Sequence, residues 1–198
     1  MSSSEIMREL KADKYANMYK RILDAVYNSG FVVVRSKDTD DGFVLNIFLI
    51  RSCIEHNKHI VDFNVTVEEP YKLIQDIRNN MESINIDDLD ITDYAYDEDM
   101  RSMCLTYKDV EECINSCITA LNLIEENFDI INRADDKGRK VRQYYCNRSS
   151  WDEAPDCDYC QLREVCIEYS NEVDDIAVHN VQCDIKWAKK VNELFGGE

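Results

Sequence analysis

Apolar residues recur over the first thirty positions at the three-to-four spacing of a helix: Ile6, Leu10, Met18, Ile22, Ala25 and Val26. Ser2, Ser3 or Ser4 supplies a cap, Glu5 is placed for a capping box, and Gly30 ends the segment. Three short strand-like runs follow, the last of which alternates well. Phe31 to Arg35, Phe43 to Ile50 and Ile60 to Val67 are short β-branched runs, separated by the turn signal Asp40-Asp41-Gly42 and the polar break Glu55-His56-Asn57-Lys58. They predict a three-stranded antiparallel meander. Pro70 then opens a second helix with Tyr71, Ile74, Ile77 and Met81 on one face. From Ile84 to Met100 the apolar positions fall at odd intervals and predict an irregular connection.

From Thr106 the helical period returns strongly, through Val110, Cys113, Ile114, Cys117, Ile118, Leu121, Ile124 and Phe128. Thr106 is the expected N-cap, with Asp109 at the third helical position. Asp135-Asp136-Lys137-Gly138 reads as a break and a boundary. A final helix is expected from about Asp174 to Phe195, with Val178, Val181, Ile185, Ala188 and Val191 on one face. These elements predict an α+β fold in which an N-terminal helix, the meander and packed helices are followed by a small Cys-rich, zinc-held helical module. The corresponding division is an acidic α+β domain over 1–136 and a Cys-rich zinc-binding helical module over 137–198.

Charge sharpens this picture. The net charge of −17 is concentrated in residues 68–136, which hold 5 Lys/Arg against 19 Asp/Glu. No cation stands between Arg78 and Arg101, whereas Lys137 to Trp151 contains no carboxylate. Carboxylates arrayed on a folded surface can imitate the phosphate rows of a nucleic acid and occupy a basic groove. The residues expected to do so are Asp87, Asp88, Asp90, Asp93, Asp97, Glu98 and Asp99, with Tyr94 and Tyr96 as apolar anchors. The stretch Asp87 to Asp93 lacks the glycine of a calcium loop and the acid in its twelfth frame position. Direct nucleic-acid binding by Lys137, Arg139, Lys140, Arg142 and Arg148 is disfavoured by the overall negative charge.

The longest apolar run, Phe43 to Ile50, is too short to span a bilayer. No basic region followed by an apolar stretch opens the chain, so a cytoplasmic, reducing location is expected, without membrane association. There, nine cysteines read as metal ligands and buried thiols rather than disulfides. Cys146, Cys157, Cys160 and Cys166 fall within 21 residues and form a compact four-thiolate set for a structural zinc. The alternative pairs the Cys157/Cys160 turn with His179 and Cys183, four apart on the final helix. Cys113 and Cys117 read as core residues among aliphatic neighbours. No nucleophile–base pairing, phosphate loop or zinc-protease motif is present, and five glycines give little scope for phosphate nests, so an enzyme is not expected.

The triad Cys157, Cys160 and Cys166 resembles the cysteine cluster of RecB-like nucleases, which implies an iron–sulfur cluster as the lesser alternative to zinc. The acidic-x-Lys candidates such a nuclease requires are Glu9 to Lys11, Asp135 to Lys137 and Asp184 to Lys186, and none falls on a predicted strand. Over residues 1 to about 130, the order of elements and the acidic stretch Glu82 to Asp99 resemble small anti-CRISPR proteins carried by phages. That resemblance implies a non-enzymatic inhibitor, acting in a prokaryotic cytoplasm, that mimics nucleic acid and blocks the basic groove of a partner such as a CRISPR effector nuclease. The alternative function is a zinc-stabilised regulatory or adaptor protein contacting a protein partner or DNA through the Cys-rich module.

Overall fold

The computed structural model describes residues 15–39, 42–49, 61–66, 69–88, 107–145, 162, 165 and 174–195. Helix α1 (Ala16–Asn28) sends Met18, Tyr19, Ile22, Leu23, Ala25 and Val26 into the core. The expected helical residues before Tyr15 lie outside the described residues. At its end Ser29 donates its hydroxyl to Ala25 O at 2.7 Å, and the Gly30 amide donates to Tyr27 O at 3.0 Å. Gly30 adopts φ +99°, a left-handed conformation that a side chain disfavours, and so turns the chain directly into the sheet.

The sheet contains β1 (Phe31–Thr39), β2 (Gly42–Leu49) and β3 (Val61–Thr66) in that order, with both pairs antiparallel. The register places Val33 opposite Ile47 and Arg35 opposite Leu45, and shifts by one residue between Arg35 and Lys37. Opposed residues share a face, and here that face carries the buried side chains Phe31, Leu45 and Ile47 into the core. A one-residue slip would turn this set to solvent, which is why the alternation fixes the pairing.

Helix α2 (Pro70–Glu82) begins at proline, whose fixed φ suits a first helical position, after Glu69 in an extended conformation. Leu73, Ile74, Ile77 and Met81 face inward. A 3-10 turn, Ile86–Asp88, follows within the stretch expected to be irregular. Residues 89–106, including the expected cap Thr106, lie outside the described residues. Helix α3 (Tyr107–Glu126) buries Val110, Ile114, Cys117, Ala120, Leu121 and Ile124. Asn127 interrupts the helical run: it donates to Leu123 O from its amide at 3.3 Å and from Nδ2 at 2.9 Å.

Helix α4 (Phe128–Tyr145) runs without interruption through Asp135, Asp136, Lys137 and Gly138. This corrects the expected break, and the boundary drawn after residue 136 falls inside a helix. One glycine costs an α-helix about 1 kcal/mol. The buried Ile131 and Ala134, with the ion pair made by Asp135, hold the turn in place. Helix α5 (Ile176–Phe195) also joins the common core through Ala177, Val181, Ile185, Trp187, Ala188 and Val191. Asn192 donates from Nδ2 to Ile130 O at 2.9 Å and ties α5 to α4. The last helix is therefore integral to the same core as α1, which touches β1 and all four other helices. Among the described residues, no helix is long and apolar enough to cross a membrane.

Candidate functional site

Helices α2 and α3 run antiparallel, as their cross-links show. Near one end Tyr71 donates its hydroxyl to Glu125 Oε1 at 3.1 Å and meets Phe128 edge-on, with ring centroids 5.9 Å apart. Hydrogen bonding to the Glu125 carboxylate, followed by that group's charge, raises the Tyr71 pKa above its usual 10.0. Seven residues further along α2, Arg78 donates to Asn122 Oδ1 at 3.2 Å and pairs with Glu125. The same arginine stands 3.9 Å from Glu82. Beyond the end of α2, the Ile86–Asp88 turn packs against α3.

The turn is a firm mount for charge. Ile84 and Ile86 pack against the core, while Asp87 and Asp88 are exposed. The Asp88 amide donates to Asn85 O at 3.1 Å, and Asn85 Nδ2 donates to Asp88 Oδ2 at 3.0 Å. Glu82 precedes this turn, and Glu111 and Glu112 on α3 are likewise exposed. Carboxylates in the first turns of a helix are favoured by the partial positive charge at its N-terminus, so α3 can carry Asp109, Glu111 and Glu112 there. Of the expected partner-binding residues, Asp87 and Asp88 are placed in this way. Asp90, Asp93, Tyr94, Tyr96, Asp97, Glu98 and Asp99 lie outside the described residues.

Cys146, Cys157, Cys160 and Cys166 also lie outside the described residues. Their alternative partners do not: His179 and Cys183 occupy successive turns of α5, with Nε2 3.5 Å from Sγ. Asp175 fixes this end of the helix. Its Oδ1 accepts from the Val178 amide at 3.0 Å, the bond of an N-cap, and from Ser116 Oγ on α3 at 2.8 Å. The amide of His179 donates to Asp175 O at 3.0 Å. Among the described residues, no group of three or more His, Cys, Asp or Glu side chains is arranged to hold a metal. Cys117 is buried in the core and half-buried Cys113 packs beside it. Burial pushes the Cys117 thiol up to about 12 despite a hydrogen bond with Ser29.

A third arrangement was not expected from sequence. Arg21 of α1 donates from Nη1 to Asp135 Oδ2 of α4 at 2.6 Å and from Nε to Asp184 Oδ2 of α5 at 3.0 Å. Asp135 and Asp184 begin two of the three acidic-x-Lys sequences, yet both sit on helices and share a guanidinium rather than opening toward a metal ion. The available signal was subtle: Arg21 adjoins Ile22 on the apolar stripe of α1, while Asp135 follows Ala134 and Asp184 follows Cys183, both buried. A charged residue set at the edge of an apolar stripe requires a partner across the helix contact. Comparison with family models, curated proteins and solved structures returned no match.

Proposed function

We propose that this chain is a non-enzymatic acidic binding protein whose carboxylate-bearing end occupies the basic groove of a nucleic-acid-processing protein. The observation that carries this reading is the placement of Asp87 and Asp88, exposed at a turn where the partly buried Ile84 and Ile86 pack against the core. A mimic of phosphate rows needs charges fixed in space, because a partner gains little from carboxylates that must first be ordered. The acidic residues that follow, Asp90, Asp93, Asp97, Glu98 and Asp99, extend the charge along the sequence, with Tyr94 and Tyr96 as anchors. A CRISPR effector nuclease is a partner of the required chemistry, in keeping with the resemblance to anti-CRISPR proteins. Binding of this kind displaces counterions and weakens steeply with salt.

The test is competition with labelled duplex DNA for a set of DNA-groove proteins that includes an RNA-guided nuclease, at low and moderate salt. The chain is expected to displace DNA from at least one of them. Reversal of Asp87, Asp88, Asp90 and Asp93 to lysine should weaken that displacement by roughly a hundredfold or more, about 2.7 kcal/mol over four contacts. Displacement insensitive to both reversal and salt, or none with any protein in the set, would refute the proposal. A gel shift of the chain with duplex and single-stranded DNA separates it from the adaptor alternative, because a mimic forms no complex with DNA.

A further inference from the structure

We draw no further inference here: the strongest candidate, the surface patch of exposed apolar side chains at Tyr27 near the end of α1 and Ile176 at the start of α5, carries nothing because nothing among the described residues shows what covers it.

Discussion

Replacing Arg21 by methionine keeps the aliphatic stem of the side chain and removes its charge, leaving Asp135 and Asp184 without the guanidinium they share. The three side chains are 12%, 9% and 21% exposed, in the order Arg21, Asp135, Asp184. Removing one partner of a buried pair leaves a desolvated charge and costs about 3–5 kcal/mol. Asp184, a fifth exposed, can recover part of its hydration, so its share resembles that of a surface pair, below about 1 kcal/mol. Both aspartates make further interactions, which places the total at the lower end, about 3 kcal/mol. For a chain of this size that lowers Tm by about 6–12 °C. Urea unfolding followed by circular dichroism, on Arg21→Met, Asp135→Asn and the double variant, measures it. Because much of the cost is an unneutralised carboxylate, the double variant should be more stable than Arg21→Met alone by about 1–2 kcal/mol. An Arg21→Met variant within about 0.5 kcal/mol of the unmodified protein, or a double variant whose losses simply add, would refute the reasoning.

The Tyr19 hydroxyl is buried with no hydrogen-bond partner among the described residues, so Tyr19→Phe should be neutral or stabilising by up to about 1 kcal/mol in the same unfolding assay. Burial, with smaller contributions from Tyr15 and Glu69, raises this phenol to about 12 from 10.0. The unfolded chain therefore loses its proton first, and stability present below pH 10 declines as pH rises from 10 to 12; unfolding across that range should show a shallower decline in Tyr19→Phe. Gly30→Ala forces a side chain onto φ +99° and brings Cβ to 3.0 Å from Cys113 Sγ, so a loss of about 1–2 kcal/mol is expected, with Cys113→Ala relieving only the contact. Asp175→Ala removes the cap of α5 and its bond to Ser116, at a cost of about 1–2 kcal/mol by denaturant titration.

Where one face of an element is buried, the chain announced it. The apolar runs from Phe31 and Phe43 and the stripes through Ile22 to Val26, Ile74 to Met81 and Val110 to Ile124 correspond to observed strands and helices, and in the helices burial on one side imposes the period of the backbone. Asp135 to Gly138 depart from their local pattern. Those residues ordinarily mark a turn, but tertiary contacts on Ile131, Ala134 and Asp135 outweigh a local preference of about 1 kcal/mol. The spacing in α5 predicts a single apolar face, whereas Ala177, Cys183 and Trp187 are buried as well, in a helix that packs against α1, α3 and α4. Helical spacing put His179 and Cys183 on the same side of α5, but only the coordinates supply their separation. Arg21 was illegible for a different reason: its partners lie 114 and 163 positions away, and no local pattern encodes such a pairing.

The place of α1 among all the other helices sets the order of events during synthesis. Asn28, its last residue, is translated nearly 150 positions before α5 begins at Ile176. At about 10 residues per second, the nascent chain waits roughly 15 seconds before the helix that covers one side of α1 has been made. Arg21 lacks both of its acids until Asp135 is made and one of them until Asp184 follows, and an apolar flank of α1 stays uncovered over the same interval.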